Sequence, residues 1–214
     1  MTNVYGSPEK ASRKNRLFEI GVETLKKHGW EVERVQGSGK SSMRRITKAG
    51  KSQIVSIRTS QDTWIAFPRT KDNRNWVTLS EVDAVVAVSV DDPHDPKFAN
   101  VHMISGQELR ERFDRAYDAR IKAKHQIPIG RGVWVALYIQ EASEPKSYVG
   151  AGAGLTNPAI ARIPLKPEVI LQSETEGEPQ LSQDQSPLSI IEAKRRLAIN
   201  FGVDPANIKI TVEA

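Results

Sequence analysis

The chain has 214 residues, a hydrophobic fraction of 38% and a formal net charge of +5 at pH 7. No apolar run approaches the roughly 20 residues that a membrane-spanning helix needs, and the absence of cysteine excludes disulfides and thiolate metal sites. The N-terminal residues lack the apolar segment of a secretory signal, so we expect a cytoplasmic protein with no membrane partner.

We expect residues 1–14 to be disordered and residues 15–142 to form a folded core. The first predicted element is a helix from Asn15 to His28, in which apolar residues recur at helical spacing and which Gly29 ends. A hairpin turn is predicted at residues 48–51. Alternation of apolar and polar residues predicts four strands around it, at residues 30–35, 43–47, 53–59 and 63–67.

The second half of the core begins with Val82–Val90, whose nearly continuous Val and Ala run is typical of a strand covered on both faces. A strand at 99–104 and a helix at 107–123 follow, with Ser105 as the cap and Glu108 as its reciprocal partner. Residues 133–139 are predicted to be a last core strand. This order predicts an α/β (α+β) fold with a central mixed β-sheet flanked by helices.

The C-terminal third has a different composition, with a slight acidic excess after residue 142. Residues 143–187 are rich in Gly, Pro and acidic or polar residues, which predicts an irregular segment followed by a flexible linker. Residues 188–214 are predicted to form a helix and a strand, too small a unit to hold a core alone. We expect this element to dock on the main domain, on a second copy in a homodimer, or on a partner protein.

The stretch between Glu33 and Asp62 holds seven basic residues and no acidic one. Cations without a counter-charge repel one another unless an external anion balances the field. Nucleic acid is the expected polyanion, because Lys and Arg neutralise its phosphates with release of counterions. Six of these seven, Arg34 being left out, and two further cations from the following loop are the predicted nucleic-acid-binding residues: Lys40, Arg44, Arg45, Lys48, Lys51, Arg58, Arg69 and Lys71.

A family resemblance is carried by the helix, the loop and the hairpin that precede residue 60. A helix followed by Trp30-Glu-Val-Glu-Arg-Val35, and a hairpin whose second strand reads Ile54-Val-Ser-Ile-Arg-Thr-Ser60, resemble the PD-(D/E)XK, or restriction-endonuclease-like, superfamily. The resemblance covers residues 15–125. It implies a restriction-endonuclease-like core and favours double-stranded DNA over RNA as the partner.

The acidic metal ligands of that superfamily are missing. The resemblance places Ser56 where a metal-binding carboxylate is expected, Arg58 where the catalytic lysine is expected, and Arg44 or Arg45 where an Asp is expected. Mg²⁺ prefers carboxylate oxygens, and an arginine does not deprotonate to act as a base. We therefore expect a degenerate, non-catalytic DNA-binding protein with no metal and no cofactor, in which guanidinium groups grip phosphate instead.

Three alternatives stay open. An active Mg²⁺-dependent endonuclease would need a migrated metal site, for which Glu19, Glu23, Asp62 and Asp83 are the candidates. The chain would otherwise be a protein–protein recruitment module of a mobile-element or defence system, acting through its C-terminal element. A separate alternative for the arginines of the hairpin is that they simply face solvent. The tryptophans on or beside strands, Trp64, Trp76 and Trp134, are interpreted as core residues rather than as stacking platforms for bases.

Overall fold

The computed structural model describes residues 7–35 and 41–165, together with Lys194 and Lys209. The chain divides into two compact units, Met1–Val169 and Ile170–Ala214. Every helix and strand whose bounds are described belongs to the first unit. The predicted C-terminal helix–strand element and the predicted linker from residue 166 onward, Lys194 and Lys209 apart, lie outside the described residues.

The helices and strands of the first unit follow one another in the predicted order, with two additions, a short helix and a short strand, near the end. They are α1 (Pro8–Lys27), β1 (Glu31–Arg34), β2 (Met43–Lys48), β3 (Lys51–Ser60), β4 (Trp64–Pro68), β5 (Ala84–Val90), β6 (Phe98–Ser105), α2 (Gly106–Lys122), β7 (Gly132–Ala136), α3 (Ala153–Thr156) and β8 (Ala161–Pro164). Short 3₁₀ turns lie at Leu79–Glu81 and Lys146–Tyr148. Within residues 7–35 and 41–165, no helix is both long and apolar enough to cross a membrane.

Six strands form one mixed sheet in the order β1-β2-β3-β5-β6-β8. Strands β3 and β5 are parallel, and every other neighbouring pair is antiparallel. Strands β4 and β7 leave this sheet and form a separate antiparallel ribbon. The predicted α+β class with a central mixed sheet flanked by helices is confirmed. The core strand predicted at residues 133–139 is β7, which ends at Ala136 and pairs with β4 outside the six-stranded sheet.

Helix α1 covers one face of the sheet. Its buried residues Leu17, Ile20 and Leu25 pack with the inward side chains of β3, β5 and β6. Helix α1 comes close to β5 at Gly21, where an added Cβ would lie 2.9 Å from Cγ2 of Val88. The helix begins at Pro8, because the Ser7 side chain accepts from a first-turn N–H and proline suits the first helical turn. The prediction of disorder up to residue 14 was therefore wrong for residues 8–14.

Helix α2 and the β4–β7 ribbon cover the other face. Phe113 of α2 meets Phe67 of β4 edge to face, with ring centroids 5.2 Å apart, and meets Trp76 at 5.3 Å. Strand β5 is buried along its whole length because it lies between the two layers. The prediction of a strand covered on both faces is confirmed.

Residues 143–165 of the segment predicted to be irregular contain a 3₁₀ turn, the short helix α3 and strand β8, between stretches without regular secondary structure. Strand β8 pairs with β6, and Arg112 of α2 donates to the carbonyl of Ala151 and to the hydroxyl of Thr156. Ser105 caps α2 as predicted, accepting from the N–H of Glu108 at 3.0 Å. The carboxylate of Glu108 does not complete the capping box, since it accepts from Arg112 and from Asn157 instead. The hydrogen bonds of the buried Arg112 side chain hold this Gly- and Pro-rich segment against α2.

Candidate anion-binding groove

A groove opens where β2 and β3 separate. The described pairing of the two strands ends with Met43 opposite Ser56, and one further bond joins the N–H of Ile57 to the carbonyl of Ser42 at 2.9 Å. Strand β3 continues to Ser60 and stays paired with β5 on its other side. The groove at this point has a volume of about 500 Å³.

Five parts of the chain line the groove, which we call the β3 groove. They are the N-terminal half of α1, the chain before β2, the end of β3, the β4–β7 ribbon and the loop before β5, with the lining residues Lys14, Phe18, Ser41, Ser42, Ile57, Arg58, Thr59, Trp64, Ile65, Ala66, Thr78 and Trp134. These described lining residues include two cations, four hydroxyls and two indoles, and none of them is Asp or Glu. A pocket with this lining attracts an anion.

Arg58 is the cation within the groove. Its guanidinium carbon lies 4.3 Å from the ring centroid of Phe67, a fully buried residue. In the described part of the chain its side chain makes no hydrogen bond and no ion pair, and its Nε is buried without a partner. Burial lowers the pKa of Arg58 from its ordinary value, but a guanidinium keeps its proton at neutral pH.

A partly buried cation without an acceptor is unfavourable for folding. Buried polar groups are normally hydrogen-bonded and buried charges are normally paired. The N–H groups of a guanidinium form a planar fork that matches two oxygens of a phosphate or carboxylate. The guanidinium of Arg58 can therefore take up an anion at the end of β3 without giving up a bond within the described chain.

Two indoles lie on the outer face of the ribbon. Trp134 stands opposite Ala66, and Trp64 is its diagonal neighbour across the two strands. Trp134 is 50% exposed, and within the described residues neither ring has an aromatic or cation–π partner. The interpretation as core residues is confirmed for Trp76, which is 2% exposed, and was wrong for Trp134.

Thr78 supplies a hydroxyl to the groove from an unusual backbone conformation. Its φ is +72°, a left-handed value that a β-branched residue rarely adopts. The residue is nevertheless buried. Strained backbone of this kind persists only where the surrounding structure enforces it, and it clusters at functional sites.

Arg44 has a structural role on the opposite face of the sheet. Its guanidinium lies 4.8 Å from the ring of Phe18 on α1. It donates to the carbonyls of Ser41 at 2.8 Å and Met43 at 2.7 Å. These bonds fix the chain before β2, which forms one wall of the groove. Arg44 and Arg58 therefore do not form one cation pair, because the strand register places their side chains on different faces.

The other predicted binding residues are dispersed. Lys48 donates to the carbonyl of His28 at 2.7 Å, at the end of α1. Arg69 packs on Trp76 and forms an ion pair with Asp114 at 3.4 Å. Three others, Arg45, Lys51 and Lys71, are exposed, and Lys40 lies outside the described residues.

The basic hairpin also has acidic neighbours that the linear sequence separates from it. Strand β1 places Glu33 directly opposite Arg45 and Glu31 opposite Thr47. The cations of β2 and β3 thus lie on two faces, with β1 adding negative charge beside them. Among the described candidates, only Arg58 lies in the β3 groove.

The acids considered for a migrated metal site are not brought together. Arg16 binds Glu23 at 3.2 Å and lies 3.6 Å from Glu19. Asp62 accepts from Ser60 at 3.0 Å, and Asp83 accepts from the N–H of Ile54 at 2.7 Å. Within residues 7–35 and 41–165 there is no group of three or more His, Asp or Glu that could hold a metal ion.

Three groove residues were missed by sequence reasoning. Lys14 fell in a segment expected to be disordered, and a positive φ at Thr78 leaves no mark in the sequence. Trp134 could have been recognised from the sequence, because it lies between Val133 and Val135. If the two valines are buried, the residue between them faces outward.

Comparisons of the chain with protein-family models, with curated proteins and with solved structures found no match in any of the three. The relationship to the PD-(D/E)XK superfamily therefore stays a prediction. Any functional conclusion rests on the groove itself.

Proposed function

We propose that this protein is a non-catalytic nucleic-acid-binding protein that receives a phosphate in the β3 groove. The observation that supports this most is the guanidinium of Arg58, which lies in a groove without acidic lining and has no partner in the described chain. Phosphate oxygens would satisfy the free N–H groups of the fork, because Arg binds phosphate with two parallel hydrogen bonds. Binding would then give the guanidinium a counter-charge that the described chain does not supply.

Nucleic acid fits the surroundings of Arg58 better than a small inorganic anion does. Lys14 adds a second cation to the groove, and the hydroxyls of Ser41, Ser42 and Thr59 supply further donors. Indoles beside cations and hydroxyls suit a ligand that has bases as well as phosphates. The chain's net charge of +5 favours association with a polyanion through counterion release.

The proposal excludes catalysis because of the residues that replace the expected metal ligands. Ser56 is fully buried and its hydroxyl lies 3.3 Å from that of Ser42. Neither Ser56 nor Arg58 offers an anionic oxygen to Mg²⁺. A cytoplasmic location, and a homodimer or protein partner held by the C-terminal element, belong to the same proposal.

The proposed nucleic-acid binding is tested by measuring the affinity for a labelled oligonucleotide by fluorescence anisotropy over a series of salt concentrations. If three to five phosphates are contacted, log K should fall against log salt with a slope of about −3 to −5. Arg58→Met should weaken binding by about 10-fold or more and reduce the slope by about one.

The matched control is Lys51→Ala, which also removes one positive charge. Lys51 is exposed and lies seven residues along β3 from Arg58, about 23 Å at the rise of a strand. We expect little change in affinity from this control. Absence of binding at about 50 mM salt, where electrostatic contacts are strong, would refute the proposal, and so would wild-type affinity in Arg58→Met.

A further inference from the structure

The position of Arg58 restricts which phosphate can reach it. The guanidinium contacts Phe67, which is fully buried, so the cation lies within the groove rather than on its rim. The groove volume of about 500 Å³ is in the range of pockets that hold one small ligand. A duplex carries its phosphates on the outside of a stiff cylinder, and enzymes that need one nucleotide in a pocket extrude it or use single strands. The recessed position of the Arg58 guanidinium in the β3 groove therefore favours a nucleotide that is not base-paired.

The ribbon provides a surface for the base of such a nucleotide. Ala66 lies between the two indoles on the outer face, directly opposite Trp134. Both residues line the cavity, and Trp134 is 50% exposed beside the small side chain of Ala66. Aromatic side chains stack with any unpaired base, because every base has a π-face. In a duplex these faces are already occupied by neighbouring bases.

The arrangement puts phosphate and base partners in one cavity. Arg58 is recessed at the end of β3, and Trp134 is half exposed on the ribbon wall. The hydroxyls of Ser41 and Thr78 lie in the same lining. A flexible strand can place one phosphate on Arg58 and turn the adjoining base onto Trp134.

We propose that the β3 groove is a site for one unpaired nucleotide of a single-stranded nucleic acid, with its phosphate on Arg58 and its base stacked on Trp134. This inference rests on the proposed function and narrows it from nucleic acid in general to single strands. The double-stranded DNA predicted from the family resemblance becomes the weaker ligand.

The test compares a labelled single strand of about 20 nucleotides, longer than the site size of one small binding domain, with its duplex. The 214-residue chain is used at one salt concentration. We expect the single strand to bind at least 10-fold more tightly than the duplex. Trp134→Ala should weaken single-strand binding about 5- to 100-fold, the range of base–aromatic stacking, and should leave duplex binding unchanged. Trp134→Phe keeps an aromatic face and should stay within about threefold of wild type on the same grounds.

Two further readouts separate stacking from charge and from folding. Intrinsic tryptophan fluorescence should be quenched by the single strand in wild type and much less in Trp134→Phe. Sodium polyphosphate, which has no bases, should compete equally well for wild type and Trp134→Ala. Circular dichroism is expected to show native folding of both variants, because Trp134 is half exposed.

The outcomes distinguish the two proposals. Equal or tighter binding of the duplex, or unchanged single-strand binding in Trp134→Ala, overturns the unpaired-nucleotide site. If Arg58→Met still loses binding in that case, nucleic-acid binding through Arg58 stands. If wild type binds neither probe, both proposals fail.

Discussion

Arg58→Met should make the free protein more stable while it weakens binding. The substitution keeps a long, flexible side chain against Phe67 and removes a guanidinium whose Nε is buried without a partner. An unsatisfied buried donor costs about 1–3 kcal/mol. The cation–π contact that is lost contributes about 0.5–2 kcal/mol.

The expected net gain in the free energy of unfolding is about 1 kcal/mol, which corresponds to a rise of about 2–4 °C in Tm for a domain of this size. Thermal melts followed by circular dichroism, with and without ligand, measure it. Added single strand should raise the Tm of wild type and should have little effect on Arg58→Met.

Arg44→Met is the matched control, since it makes the same substitution on the same hairpin. Arg44 is 8% exposed and donates to two backbone carbonyls, so its removal leaves buried acceptors without a donor. We expect a loss of about 2–4 kcal/mol, by analogy with other broken buried charged contacts. A fall in Tm for Arg58→Met as large as that for Arg44→Met would refute the view that Arg58 lacks a partner.

Two other predictions concern catalysis and pH. Purified protein should not cleave plasmid DNA with Mg²⁺ or Mn²⁺, and cutting that is lost in Glu23→Gln would show a metal site on α1. His102 is buried between the carbonyl of Asn157, at 2.7 Å, and the hydroxyl of Tyr138, at 2.9 Å. Burial lowers the pKa of His102 below its usual 6.5, so stability present above pH 6.5 should decline as the pH falls through the lowered value. His102→Gln should flatten the Tm profile in that range, and an unchanged slope would contradict this assignment.

Local patterns predicted most of the sheet because each strand has its own signature. The Val-rich run of β5 needed cover on both faces, and it has α1 on one side and α2 with the ribbon on the other. The pairing of β4 with β7 was not predictable in the same way. Both strands alternate as members of the main sheet would, and nothing local indicates that two segments about 65 residues apart pair with each other. Strand β8 was missed because its pairing partner, β6, is distant in sequence.

The separation of Arg44 from Arg58 was within reach of sequence reasoning. A two-residue turn at Ala49 and Gly50 pairs Lys48 with Lys51 and thereby places Arg44 opposite Val55. Paired residues share a face and successive residues alternate, so Arg58 must lie on the other face from Arg44. A count of cations along the chain did not reveal this separation, because it took no account of the alternation of successive strand residues between the two faces of the sheet.

Charge density points to the hairpin as a whole, and the absence of partners in the described chain singles out Arg58 as the proposed anion-binding residue. Arg44 and Lys48 satisfy their charge with backbone carbonyls, and Arg69 satisfies its charge with Asp114. Their binding to phosphate would have to replace bonds that folding already made. Arg58 has no hydrogen bond or ion pair to replace in the described chain. The charge of Arg58 has no counter-charge in the described part of the free protein and a bound anion would supply one, so under the proposal the same guanidinium lowers stability and raises affinity. That opposition is the physical reason to expect binding, rather than folding, to depend on Arg58.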